Sequence, residues 1–436
     1  MSVISLLLSI LLMGCSVQTY VPADKPIIEE PKKQIEVIES SNMGFDRFDS
    51  DLINYISNSE DYKSENFVVS PVSIKLALGL AIEGAKDETK TEMLNALGIE
   101  SETSLRELSK EMCEISLEVE ESVKYKSDMI GRYGEEVNKS KFTVTNSIWK
   151  NKDRLGSLKE DYKKSMLENY NAKAEEVASL DMEDTINGYV KENTNNLIPT
   201  IVDDSVKDAN TVLVNTVYLN DNWSEGLFDE YNTKIKKFTT IDNSKVEKEF
   251  MCTTDRFKYY EDKETKLLLT ETDNGFGVLY VLGDNSNIVE KMNKMESCEV
   301  IVEVPKMDIE SEFKEKYMVN FMNSLGVKKA FNEWEADFSG MFDISMDSNI
   351  YIEDIIHKTK LTTDEKGIEA AAVTAVLMYD ITSALPDEKP KPKEFIANEP
   401  FSFYVFNMNQ YYDSNSDYEN RSFDDSKLLF YGNFVK

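Results

Sequence analysis

A single histidine, His357, limits the acid–base chemistry open to this chain of 436 residues. One imidazole cannot build a multi-histidine zinc site. A serine hydrolase would need a Ser-centred Gly-x-Ser-x-Gly turn beside its histidine, and no such turn occurs. Beyond Cys15, three cysteines remain: Cys113, Cys252 and Cys298. Their number is odd and no C-x-x-C pair exists, so they read as buried small hydrophobes, not as a disulfide framework or zinc ribbon. Asp413-Ser-Asn415-Ser-Asp417 spaces oxygen ligands as a calcium loop would. Tyr418 stands where that loop needs glycine and Asp424 where it needs a bidentate glutamate, so the segment reads as a solvated acidic turn. No metal and no cofactor is expected. Acids outnumber bases 81 to 49, a net charge of −32 that repels phosphate backbones and anionic headgroups. A nucleic-acid partner is excluded on that ground.

The stretch with unusual chemistry is Tyr351 to Met378. An alternating segment around His357 leads into Asp364-Glu365-Lys366-Gly367, and then Ala370 to Val376 are small or β-branched and uncharged. Pro386 to Glu394 (PDEKPKPKE) is proline-broken and charged, hence a loop. A strand-competent run beside an exposed loop invites unwanted pairing. It is either an ordinary hairpin strand or a strand held out to join a sheet later.

The elements that would position this run are legible in outline. Phe45, Phe48, Leu52, Ile53 and Ile56 recur at helical spacing. Ser70 caps and Pro71 opens a second helix, and Asp87 to Leu97 forms a third, stopped by Gly98. Lys159–Asn169 and Glu183–Asn195 are helical in pattern. Asn66–Val69, Phe142–Trp149, Thr211–Leu219, Lys266–Thr272, Gly277–Leu282 and Val300–Val304 are strand-like. Glu111 to Ser140 reads as a charged, irregular surface excursion. Helices early, strands later and long-range pairing predict an α+β domain.

Several motifs, in order and spacing, resemble the serpins over nearly all of Asn42 to Lys436. Asn66-FVVSPVSIKLALGLAIEGAKDETKTEMLNALG-Ile99 is similar to the family's opening helices, and Val214-NTVYLNDN-Trp223 to its third central strand and the Trp that follows. Val304-Pro305-Lys306-Met307, Ala336-Asp337-Phe338-Ser339-Gly340 and His357-Lys358 stand in the expected order. So do Glu365 to Ala371, Phe395-IANEP-Phe401 and Leu429-Phe430-Tyr431-Gly432. The resemblance implies three β-sheets, eight or nine helices and an exposed reactive loop, at about 365–394. It assigns Ser70, Ser73, Asn215 and His357 to a polar cluster beneath the central sheet, with the imidazole bonded to an Asn side chain. Trp223 is assigned to the top of that sheet, and Lys306 to a pairing with the hinge residue Glu365.

It also implies a suicide mechanism without catalysis by this chain. A serine protease is acylated by the loop, whose N-terminal arm then inserts into the central sheet. In a strand alternate side chains share a face. Ile368, Ala370, Ala372, Thr374, Val376 and Met378 share one, and none is charged or proline. Ala371 lies on the other face, where Glu369 is the only charge before Asp380. Gly367 supplies the bend, and Ile368 is bulkier than the residue common there. Family spacing puts the cleaved bond at Ile381–Thr382, with Asp380–Ile381 and Thr382–Ser383 one residue away. A branched aliphatic before the bond points to elastase-like or subtilisin-like targets, and a cysteine protease stays open. The alternative is a non-inhibitory serpin-fold binding or structural surface protein.

At the start, Val3 to Met13 is an apolar run too short to span a bilayer, ending in Leu12-Met13-Gly14-Cys15. It resembles a bacterial lipobox with Cys15 as the lipidated residue, although no Lys or Arg precedes the run. The expected organisation is a signal at 1–15, a Pro-containing tether at 16–41 and the folded domain at 42–436. The protein is expected to be an exported monomer, lipid-anchored at the bacterial surface or secreted.

Overall fold

The computed structural model describes residues 43–130, 140–313, 316–343, 350–368, 391–408, 422–424 and 426–436. All belong to the compact unit Ser40–Lys436. Cys15, Ala370, Ala371, Ala372, Ile381, Thr382 and the Asp413–Asp417 turn lie outside the described residues.

Local sequence signals set the first helices. In Arg47–Ser57 the Asp46 side chain accepts from Asp49 N–H, and Phe48, Leu52, Ile53 and Ile56 are buried. Pro71–Gly84 starts with Ser70 as its cap and Pro71 at its first position. Asp87–Leu97 carries acids in its first turn and ends at Gly98, whose φ of 68° suits glycine. Glu160–Tyr170 and Met182–Asn193 follow the predicted helices closely.

Thr103–Ile130 overturns the reading of Glu111 onward as irregular: it is one helix of 28 residues. Leu105, Met112, Ile115 and Val119 are buried along it at helical spacing. The dense charges of its outer face hid that stripe. Among the described residues there are eight α-helices, the remaining two being the short Ile288–Met292 and Tyr317–Ser324.

Among the described residues the strands form sheets of nine, six and two strands. The nine-stranded sheet is ordered Phe67–Val69, Lys427–Phe434, Phe401–Asn407, Phe276–Gly283, Thr265–Glu271, Lys245–Glu261, Glu296–Pro305, Lys393–Ile396, with Lys234–Thr239 paired beside Lys245–Glu261. The six-stranded sheet runs Met307–Phe313, His357–Thr363, Gly367–Ile368, Thr211–Asn222, Lys141–Asn151, Lys173–Val177. Ser157–Leu158 and Phe342–Asp343 make the third.

One core cluster joins the two large sheets. It gathers Val217, Leu219, Leu361 and Ile368 from one with Phe250, Tyr280, Phe403 and Leu429 from the other. The helix Pro71–Gly84 touches strands of both sheets and is buried on nearly every side, which its almost wholly apolar sequence permits. The α+β architecture predicted from the sequence is the one observed.

Candidate functional site

Two long strands of the six-stranded sheet, Thr211–Asn222 and His357–Thr363, are not paired with each other among the described residues. Both pair instead with the two-residue strand Gly367–Ile368 at their top. Ile368 lies opposite Asp221 on one side and Thr363 on the other, antiparallel to both. The two strands are therefore held one strand position apart, about 10 Å at two ladder spacings. The sheet is parted at this level, and the chain at Gly367–Ile368 stands at the mouth of the gap.

The mouth is closely built. Gly367 does not use a left-handed φ, and its carbonyl accepts from Asp364 N–H to close the turn at the hinge. Its requirement is space: a Cβ there would come 2.0 Å from the Asp221 carbonyl oxygen. Ile368 is 2% exposed and belongs to the core between the sheets. Trp223, also 2% exposed, donates from Nε1 to the Asp364 carbonyl (2.7 Å) and from its backbone N–H to the Lys366 carbonyl (2.8 Å). Glu365 is buried, pairs with Lys306 at 2.9 Å and accepts from the Thr233 hydroxyl. Burial alone would raise the Glu365 carboxyl, but the bonds from Thr233 and Lys306 overcome it and hold it below its ordinary value. Lys306 feels burial pulling it down and Glu365 pushing it up, and the net direction is up. Asp221, fully buried, accepts from the Ser140 hydroxyl (2.7 Å) and from the Asn274 backbone and side chain (2.9 and 2.6 Å).

Lower in the gap lie the residues of the polar cluster. Ser70 N–H donates to His357 Nε2 at 3.2 Å, and the Thr359 hydroxyl is 2.8 Å from the same nitrogen. Ser73 N–H donates to Ser70 Oγ, and Ser73 Oγ to the Asn215 carbonyl. The Asn215 side chain does not meet the imidazole. Its Nδ2 donates to Asn146 Oδ1 at 2.5 Å, and its own Oδ1 is buried without a partner. The expected imidazole–amide bond is absent because the parted strands hold its two ends on opposite sides of the gap. His357 stacks on Phe313, with ring centroids 5.7 Å apart. Burial without an acidic partner drives its pKa down to about 3, so the ring is neutral.

Asn146, Asp221, Thr233 and Thr359 were missed by sequence reasoning. Thr359 shares the face of His357 in an alternating strand, and Asn146 interrupts an apolar strand; both signals were readable. Thr233 and Asp221 carry no local signal. No group of three or more His, Cys, Asp or Glu able to hold a metal ion occurs among the described residues. Cys113, Cys252 and Cys298 are free thiols.

These features define an α+β protein whose central sheet withholds one strand position and keeps its own chain at the entrance. Comparison with known proteins gives the class its name. The family model for serpins, serine protease inhibitors, matches residues 44–411, and the chain belongs to the serpin family. A serpin-like protein of Thermococcus kodakarensis is 30% identical over 363 residues, covering 79% of this chain and 78% of that protein. Intracellular coagulation inhibitor 2 of Tachypleus tridentatus is 25% identical over 370 residues, covering 79% and 83%. The crystal structure of tengpin, a thermophilic serpin in its native state, superposes with a TM-score of 0.67 at 23% identity, covering 91% of this chain and 93% of that one. Serpins are generally protease inhibitors, not enzymes, and their partners are target serine proteases.

Proposed function

We propose that this protein is an irreversible suicide-substrate inhibitor of extracellular serine proteases of elastase-like or subtilisin-like specificity. The observation that carries the reading is the parted sheet, with Gly367–Ile368 laddered to both walls of the gap. The protease serine oxygen adds to the Ile381 carbonyl carbon. The Ile381–Thr382 amide bond breaks, and the serine proton leaves with the Thr382 amine. The freed arm then extends the ladder begun by Gly367 and Ile368. Continued in the observed register, Ala370 comes beside Leu219 and Leu361, and Ala372 beside Val217 and Thr359. Thr374 comes beside Asn215 and His357, the level at which Asn215 Oδ1 lacks a donor. Each of these three positions is uncharged, and each meets buried residues. The energy that displaces the protease is the ladder bonding and apolar burial not yet made in the intact fold.

Incubation with elastase-like and subtilisin-like proteases tests the reading. The expected result is a complex that survives a denaturing gel, with the released peptide beginning at Thr382. Release of fully active protease after loop cleavage in every case would leave the non-inhibitory alternative standing. We further propose that Cys15 is lipidated and tethers the domain to a bacterial surface. Detergent-phase partitioning lost in Cys15→Ser supports the anchor, and a native protein with an unmodified N-terminus removes it.

A further inference from the structure

Two large apolar side chains stand in open solvent beside the hinge: Tyr231 is 95% exposed and Ile235 70%. Exposed apolar residues are ordinary when scattered singly, so the place of these two decides what they mean. The segment that carries them is built into the mouth of the sheet. Glu230 pairs with Lys366 at 3.8 Å, and the Thr233 hydroxyl donates to Glu365. In the strand Lys234–Thr239, Ile235 lies opposite Glu249, whose carboxylate meets Lys306 at 3.5 Å. Lys306 in turn holds Glu365, so Ile235 borders the ion pairs of the hinge. Lys234, exposed and opposite the apolar Phe250, makes no ion pair among the described residues.

The order of the strands identifies what reaches over this patch. Lys234–Thr239 pairs with Lys245–Glu261, that strand with Glu296–Pro305, and Glu296–Pro305 with Lys393–Ile396. The reactive segment follows Ile368, beside the first strand of this row, and ends in the last. Its two ends thus lie at opposite sides of the row, and a protein docked on it reaches over the strands between them. We propose that Tyr231, Ile235 and Lys234 form an auxiliary docking surface for the target serine protease, engaged outside the protease's active-site cleft. Tyr231 and Ile235 bury against an apolar surface loop of the protease, and Lys234 meets an acidic side chain beside that loop. An aromatic and an aliphatic anchor with a charge at the rim has the make-up of an interface hot spot. The contact forms before the segment is cut, so it speeds encounter and leaves the fate of the acylated protease unchanged. The proposal rests on the inhibitor reading, which makes a protease the occupant.

Binding of the full chain is measured to an elastase and to a subtilisin whose nucleophilic serine has been changed to alanine, so that no acyl bond forms. The double variant Tyr231→Ser, Ile235→Ser is expected to bind at least one of them about tenfold more weakly, and Lys234→Glu about threefold. With the active enzyme, the rate of complex formation should fall by the same factor while the stoichiometry of inhibition is kept. Binding and rates equal to wild type in the variants overturn the surface and leave the inhibitor reading intact, as does a wild type that binds neither serine-less protease yet traps the active ones. A slower reaction with raised stoichiometry places these residues in the movement of the hinge and overturns the docking role. Tyr231-dependent binding of a serine-less protease, with no gel-stable complex from the active one, keeps the surface and overturns the inhibitor reading.

Discussion

Acidification separates the contribution of His357 from that of every carboxylate in the chain. The imidazole titrates near 6.5 when free and near 3 when buried against Ser70, Thr359 and Phe313. Between these values the unfolded chain binds a proton that the folded one refuses. Native stability from this group is therefore complete above pH 6.5 and declines as pH falls toward 3. One pH unit is worth about 1.4 kcal/mol, so the loss at pH 5 is about 2 kcal/mol. The figure at pH 5 holds for any folded value below about 4, because only the unfolded titration enters there. His357→Gln keeps a hydrogen-bonding side chain and removes the titration. Urea unfolding at pH 7 and pH 5 is the assay, and carboxylate effects are common to both proteins. The wild type should lose about 2 kcal/mol more than the variant between the two pH values. Equal losses would refute the reasoning, because the imidazole would then be hydrated or ion-paired in the fold.

Two further substitutions probe the gap. Ala372→Arg should turn an inhibitor into a substrate, because the projected register puts a charge beside buried Val217 and Thr359; undiminished inhibitory stoichiometry would contradict that. Gly367→Val should expel the hinge, since its Cβ meets the Asp221 carbonyl, and should forgo the 1.5–3 kcal/mol or so that burying Ile368 contributes. Red-shifted Trp223 emission is the expected sign, and an unshifted spectrum would show that the backbone adjusts in place.

How much of this was legible in the sequence varied with the kind of signal. Caps and stops were readable because they act over a few residues: Ser70 with Pro71, and Gly98 after Leu97. The helix Thr103–Ile130 was not, because a stripe of four apolar residues among many charges resembles solvated chain until its partners are known. The site divided the same way. Residues within recognisable motifs, such as Lys306, Trp223 and Glu365, could be named in advance. Thr233 and Asp221 matter through contacts made across the fold, which no local pattern encodes. The state of the sheet was also hidden. Whether Asn215 meets His357 depends on whether two distant strands are joined, which no local pattern encodes.

The claim that the sheet withholds a strand is tested most directly by comparing the melting of intact protein with that of protein clipped between Met378 and Thr382. Cutting a loop ordinarily lowers stability by freeing the chain ends. Here the freed arm gains a ladder on both sides, between Thr211–Asn222 and His357–Thr363, so the clipped protein should melt well above the intact one. A clipped protein that melts at or below the intact one would mean that no strand enters the sheet.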